Sequence, residues 1–518
     1  MTATDSQTVT WRTWAGFGAM CAGMFMAILD IQIVATSLPA IRDALGISAD
    51  KMSWIQTAYL IAEVIAIPLT GFLSRVLSVK GLFLGALAIF TAASIGCAYS
   101  PDFETLIAFR VIQGLSGGCL IPLVFSAVFL MFPEEKQALA TTLGGVLAVT
   151  APTLGPIVGG YITQTYSWPW LFLINVAPGI LAFFAATKLL PTTDRDLGLI
   201  RKLDWLGLAA LAIGLACLEI GLKEAPELGW GSPVVLALMA MVALAGIFFI
   251  KRSLKIALPI TDLRLFSDRN FAIACTLSFL LGMSLFGASY LMPVFLGLVG
   301  EKGPLDIGVV MLVTGIAQLV TAPIAVQFEQ RLDPRWLTAS GFLFLAIGVG
   351  WSYDQTVATG FDEMFWPQVF RGGAMMFCLL PPTAIALGML QKAKVPDGSA
   401  LFNLMRNLGG AIGIALIDTV IWQRAPEHGK EIAEKLFKLD PQALEFANIT
   451  AYDIPPPGFV PPEGMLQMIK PTLEKASLTA AINEAWAMLA GFTLLAMILV
   501  FFVRPDGQKT PEQETHTE

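Results

Sequence analysis

The chain has 518 residues, of which 56% are hydrophobic and only 14% charged, whereas a soluble domain carries about 25% charged residues. That is too little charge to coat a soluble surface of this size, so a soluble globular enzyme and a disordered chain are both excluded. With 32 Lys and Arg against 39 Asp and Glu, the net charge is −7, which leaves no broad basic face and excludes nucleic acid as a partner.

Thr2 to Trp14 is polar, and the apolar stretch after it is too long for the h-region of a signal peptide, so it reads as a first membrane span. A helix needs about 20 apolar residues to cross a bilayer. Fourteen such runs follow in order, at 15–40, 53–73, 81–99, 105–131, 139–162, 170–188, 205–222, 233–250, 271–293, 307–327, 337–352, 366–390, 400–422 and 481–503. The expected class is an all-α polytopic membrane protein. With the N-terminus in the cytoplasm, the cytoplasmic segments hold 19 Lys and Arg, and the short outer loops hold only Arg42, Lys51, Lys223 and Lys302. This obeys the positive-inside rule and fits an even number of spans with both termini cytoplasmic. Residues 423–480 form a long outer loop, in which EHGKEIAEKLFKLDPQALEF reads as amphipathic helix and DIPPPGFVPPEG as a stiff polyproline bend.

The second and third runs echo the tenth and eleventh. IPLTGFLSRVLSVKGLF (67–83) and TAPIAVQFEQRLDPRWLTA (321–339) each carry a membrane proline, a tight loop and a basic residue before the next span, at an offset of 255. FRVIQGLSGGCLIP in the fourth run is similar to VFRGGAMMFCLLPP in the twelfth at an offset of about 258, with Gln113 set against Arg371. A steady offset implies a duplicated six-helix bundle. Runs seven and eight then fall between the copies. The expected order is a first bundle over 1–190, two inserted helices with linkers over 191–270, a second bundle over 271–503 and a tail over 504–518, a 6+2+6 arrangement.

Several stretches carry a resemblance. LDIQIVATSLPAI (29–41), FRVIQGLSGG (109–118), APTLGPIVGGYI (151–162), WPWLFLINVAPG (168–179), PITDLRLFSDRNF (259–271) and NLMRNLGGAIGIAL (403–416) resemble, in order and spacing, motifs of the 14-span drug/proton antiporters of the major facilitator superfamily, and most nearly its EmrB-type multidrug efflux permeases. The resemblance implies the major facilitator fold, alternating access and a place in the bacterial inner membrane. It implies export of hydrophobic or amphipathic compounds against protons, with the proton as coupling ion and no cofactor. Proton-coupled uptake or monovalent-cation/proton exchange is the alternative on the same fold. It also implies that 423–480 contacts a periplasmic adaptor working with an outer-membrane channel; a lid or spacer is the other reading of that loop. One departure stands in GFLSRVLSVKG (71–81), where Ser74 replaces the family's Asp. This puts an Asp–Arg latch at the gating loop (Gly71, Arg75, Lys80) in doubt. Arg75 and Lys80 are left to bind helix C-terminal carbonyls or to act as positive-inside anchors.

Intramembrane charge is expensive and is either paired or functional. Asp30 lies about 15 Å inside its span at 1.5 Å per residue, too deep and too short to reach water along lipid. The resemblance puts it at the family's first-span acidic position and makes Arg110 the energy-coupling arginine. An Asp30–Arg110 link that breaks on protonation is expected, a static ion pair being the rival, and a coupling role requires Asp30 to meet a water-lined vestibule. Gln56, Tyr59, Glu63 and Thr70 form one polar stripe, with Glu63 as a second proton carrier or an anchor for cationic substrates. Gln113, Gly114 and Gly117 share the face of Arg110. Gly155, Pro156, Gly159 and Gly160 make a thin helix face, which in the family is the antiporter motif at the seam between bundles. Arg371 and Arg406 read as paired structural or gating residues of the second bundle, with contact to an anionic substrate the alternative for either. Asp418 and Glu219 read as lying near outer ends and reaching water. Phe25, Met26 and Phe286 are candidates for an apolar cavity wall. Substrate contacts are thus expected from Glu63, Gln56, Tyr59, Gln113, Phe25, Met26 and Arg371. The six cysteines sit in apolar runs without CxxC spacing, and the two histidines lie outside the runs, so no metal site is expected.

Overall fold

The computed structural model describes residues 9–192, 195–450 and 463–504. The described chain is helical throughout, and its long helices number fourteen. They are α1 (Trp11–Leu45), α2 (Trp54–Leu77), α3 (Val79–Ala98), α4 (Phe103–Met131), α5 (Glu134–Thr165), α6 (Val176–Leu189), α7 (Trp205–Leu228), α8 (Pro233–Lys255), α9 (Arg269–Val294), α10 (Pro304–Glu329), α11 (Pro334–Gly350), α12 (Phe361–Leu387), α13 (Val395–Phe437) and α14 (Glu463–Val500). Local chemistry marks their ends. Thr10, Asp102, Ser232 and Asp268 accept backbone N–H groups at the starts of α1, α4, α8 and α9, as N-caps do. Gly46 closes α1 at φ 63. A single residue, Ser78 at φ 65, separates α2 from α3, and its hydroxyl accepts from Gly81 N at 3.2 Å.

Thirteen helices are long and apolar enough to span a membrane by themselves, and the bent pair Glu134–Pro152 and Ile157–Thr165 makes the fourteenth. The 46° bend lies between Pro152 and Ile157.

The two copies pack alike. In the first, α1 contacts α4, α5 and α6, while α2 contacts α4 and α3 contacts α4 and α6. In the second, α9 contacts α12, α13 and α14, while α10 contacts α12 and α11 contacts α12 and α14. Each pair is repeated eight helices later. Two seams join the copies, α2 with α13 and α5 with α10. The inserted α7 lies against α2 and α13, and α8 packs on α7. Ile247 and Phe248 of α8 are half exposed and Leu244 more so, as suits a helix facing lipid.

The core shows which end is closed. The apolar cluster of the first copy continues into Phe271, Leu387, Leu401 and Phe402 of the second, all at the end where the termini lie. The second copy also has its own cluster, around Phe295, Phe342 and Trp486.

The described part of the 423–480 stretch is largely helical, as its amphipathic pattern predicts. α13 has 43 residues, about 65 Å at 1.5 Å per residue, so it runs well past a hydrocarbon core of about 30 Å. α14 begins at Glu463, and a short helix, Pro441–Ala447, lies between them. Arg424 grips Glu484 through Nε and Nη2 at 2.7 and 2.8 Å, and His428 meets the same carboxylate at 2.9 Å. Ile432, Leu436, Ala443, Ala447 and Ala476 form a small core of their own. Lys475 bonds Glu301 at 2.7 Å and holds that carboxyl below its usual range, tying the projection to the α9–α10 turn. The proline-rich bend, 453–462, lies outside the described residues.

Candidate functional site

Charge inside the first copy gathers at one point. Arg110 Nη1 donates to Asp30 Oδ2 at 2.5 Å and to Gln113 Oε1 at 2.7 Å, while its Nε donates to Ile55 O at 3.0 Å. Gln113 Nε2 donates to Asp30 Oδ1 at 3.0 Å and to Ser94 Oγ at 2.9 Å, and Asn175 Nδ2 donates to Asp30 Oδ1 at 2.7 Å. The guanidinium lies 4.3 Å over the Tyr59 ring, whose hydroxyl donates to Ala27 O at 3.1 Å. The expected Asp30–Arg110 link is present, with Gln113 beside it. Asn175 was missed, although a lone amide in the apolar 168–179 stretch was its signal.

Close helix approach makes this network possible. A Cβ at Gly114 would meet the backbone of Tyr59, and one at Gly118 the backbone of Glu63. α2 and α4 therefore touch along their backbones, and Arg110 has a protein partner in place of lipid.

A cavity of about 470 Å³ lies between the copies, towards the end opposite the termini. Its walls are mainly apolar, from Ile28, Ile121, Leu285, Phe286, Met375 and Leu379. Its charged groups are Glu63, Glu219, Lys223, Arg406 and Asp418, with Gln56 beside them. Glu63 makes no hydrogen bond or ion pair among the described residues and is 4% exposed. Asp418 accepts from Tyr290 Oη at 2.6 Å. Arg406 donates to Asn403 Oδ1 at 2.5 Å and lies 5.4 Å from the Phe125 ring.

Several expectations are corrected here. Asp30 is fully buried and does not line the cavity; it meets no vestibule in this state. Tyr59 and Gln113 sit with it behind the cavity wall, because the stripe on α2 splits: Gln56 and Glu63 face the cavity, Tyr59 faces α4 and Thr70 is bonded within its own helix. Phe25 and Met26 pack in the core of the first copy, whereas Phe286 does line the cavity. Glu219 and Asp418 line the cavity, so they are part of its chemistry and not rim charges. Neither Arg371 nor Arg406 has an ion pair among the described residues, and Arg371 faces a separate side pocket.

The terminal end is shut by polar contacts that the first copy makes with α13 and with the linker before α9. Arg75 forms an ion pair with Asp397 at the start of α13 and donates to Pro259 O at 3.0 Å. Thr261 Oγ1 donates to Pro68 O at 2.7 Å, and Ser399 Oγ to Pro122 O at 2.8 Å. Gly71 lies so close to Asp397 that a Cβ there would strike it. An Asp–Arg latch thus exists despite Ser74, with its acid supplied by the other copy. Lys80 donates to Leu190 O at 2.8 Å, at the C-terminus of α6, as expected of a helix-capping cation.

On α5, Gly155 lies against Gln32 of α1, Gly159 O accepts from Ser37 Oγ at 3.4 Å, and Gly160 is buried. Between them, Ile157 packs against Gly308 of α10. The thin face therefore packs against α1, and the seam between copies runs along its flank. Among the described residues no cluster of His, Cys, Asp or Glu comes together with metal-ligand geometry.

Residues 20–414 match the model of the Major Facilitator Superfamily. The chain belongs to this superfamily. Among relatives in the Major Facilitator Superfamily, the colistin resistance protein EmrB of Acinetobacter baumannii is 36% identical over 502 residues, covering 95% of this chain and 96% of that one. The multidrug export protein EmrB of Escherichia coli K12 is 32% identical over 499 residues, covering 94% of each. The crystal structure of the human organic anion transporter MFSD10 superposes with a TM-score of 0.60 at 15% identity, covering 94% of this chain and 99% of that one. This last likeness speaks to the fold alone.

Proposed function

We infer that the chain is a secondary active exporter of hydrophobic or amphipathic drugs and toxic compounds, driven by proton antiport in the bacterial inner membrane with both termini cytoplasmic. The observation that carries this reading is the cavity between two like-packed copies, apolar on most of its wall, holding an unpartnered carboxylate and shut at the terminal end. Apolar and Met-containing walls accept varied shapes, and a few fixed charges sort substrates by sign. In this reading the state seen faces outward. A proton reaching Glu63 neutralises it and releases a cationic substrate. The signal passes one turn along α2 to Tyr59, which lies against Arg110, and so to the Asp30 network. Asp30 is closed off from the cavity in this state, so its coupling role requires a second state in which the α1–α4 contact opens and lets it take or give its proton as the copies rock about the two seams. The EmrB relatives, a multidrug exporter and a colistin resistance protein by name, support export over uptake.

Efflux from proteoliposomes under an imposed pH gradient tests the reading, with a substrate panel of both charges. Glu63→Gln should weaken cationic substrates at least tenfold, about 1.4 kcal/mol, and leave neutral ones within twofold. Equal loss across the panel would remove Glu63 as the anchor and leave it a proton carrier only.

The helical projection over 423–447 and 463–480 is the surface we propose for a periplasmic adaptor. Its own core and its salt bridges make it a rigid platform, which a lid would not need. Removing residues 427–480 with a short linker should abolish adaptor pull-down while cavity binding of substrate persists. Unchanged pull-down would return the projection to the role of a spacer.

A further inference from the structure

We propose that Arg371 marks a binding site for a small monovalent anion, chloride in the simplest case, inside the second copy. A side pocket of about 30 Å³ lies there, lined by Arg371, Gln368, Thr314, Ser284, Leu285 and Ala288, among others. Arg371 is 3% exposed, and its Nη2 is buried without a hydrogen-bond partner. Its Nε reaches only Pro367 O, at 3.4 Å, and its guanidinium lies 4.8 Å over the Trp486 ring. A guanidinium stays protonated in any protein setting, so this is a buried positive charge with no carboxylate to meet it. The ring face offsets only part of that burial.

The first copy shows what is missing. There the corresponding helix, α4, carries Arg110 one turn away, at the position that aligns with Gln368, and Asp30 of α1 neutralises it. Adding the repeat offset of 255–258 to Asp30 lands on Leu285, Phe286, Gly287 and Ala288 of α9, none of them acidic. Leu285 and Ala288 line the side pocket. The pocket therefore occupies the place that a carboxylate holds in the first copy. Its second polar group points the same way chemically: the Thr314 hydroxyl donates to Gln368 Oε1 at 2.5 Å, which leaves the Gln368 amide N–H₂ with no acceptor among the described residues. Two donors and a fixed positive charge around a space for one or two water-sized species describe an anion site. A water alone would satisfy the donors and leave the charge.

The inference goes beyond the transport reading and is tested without transport. The full-length protein in detergent is compared in sodium chloride and sodium gluconate at equal ionic strength, by melting temperature and by tryptophan fluorescence. Chloride is expected to raise the melting temperature saturably by several degrees and to change the tryptophan fluorescence, both effects being lost in Arg371→Gln. Gln368→Met should raise the chloride midpoint at least tenfold. Ala288→Asp, which restores the carboxylate of the first copy, should give the higher melting temperature in gluconate and no response to chloride. Identical melting of the unmodified protein in the two salts, or a full chloride response in Arg371→Gln, would overturn the proposal.

Discussion

Asp30→Asn should abolish uphill export while leaving downhill substrate exchange. The carboxamide has the shape of the carboxylate and keeps one acceptor, so Gln113 and Asn175 can reorient around it. Their amides present either an oxygen or a nitrogen. What disappears is the charge that faces Arg110 Nη1 at 2.5 Å. The variant is therefore fixed in the equivalent of the protonated state. A pump that must alternate between charged and neutral Asp30 then stalls on one branch of its cycle. In proteoliposomes with an imposed pH gradient, accumulation against a substrate gradient should fall at least about 100-fold, about 3 kcal/mol on the transition-state scale. Counterflow without a gradient uses only the cavity, where Asp30 has no atom, and should persist. Arg110→Lys should fail in the same assay, because one ammonium cannot replace a planar fork that serves Asp30, Gln113 and Ile55 O together. Uphill pumping by Asp30→Asn at the usual proton stoichiometry would make the network a static brace and leave Glu63 to carry the proton alone.

How far the sequence revealed this arrangement depends on the kind of signal each part left. The spans were legible because a bilayer demands about 20 apolar residues per crossing, and the repeat was legible because prolines, loops and basic residues recur at one offset. Asp30 and Arg110 stood out because charge in hydrocarbon is rare and must find a partner. The orientation of Phe25 and Met26 was not legible. α1 is apolar on nearly every face, so no periodicity distinguishes core from cavity. The place of α7 was hidden too, since an inserted pair has no counterpart in the repeat. Its contact with α2 and α13 is what brings Glu219 to the cavity. The helix over 427–446 was legible from its amphipathic pattern, but not that it continues α13 without a break or that Arg424, His428 and Glu484 hold it.

The latch left no local trace at all, since Arg75 and Asp397 are 322 residues apart, and it leads to the second large effect. Asp397 is 4% exposed and Arg75 25%, so removing one partner leaves the other poorly solvated at the closed end. Asp397→Asn should favour the state open at that end by about 3 kcal/mol, roughly a hundredfold change in the population ratio. Labelling reads it directly. A cysteine at Leu401, buried in the closed end, should become reactive to a polar maleimide, and one at Gln56 in the cavity should become less so. Gly71→Ala should act in the same direction by a different route, since its Cβ would come within 3.0 Å of the Asp397 Cα and wedge α2 from α13. Reversing the pair, Arg75→Asp with Asp397→Arg, should recover part of the closed population, because the charges again attract while the bond to Pro259 O is lost. If both labels react in Asp397→Asn as in the unmodified protein, the ion pair does not hold the end shut, and the Thr261 and Ser399 hydrogen bonds with the apolar contact of Leu401 and Phe402 must do so.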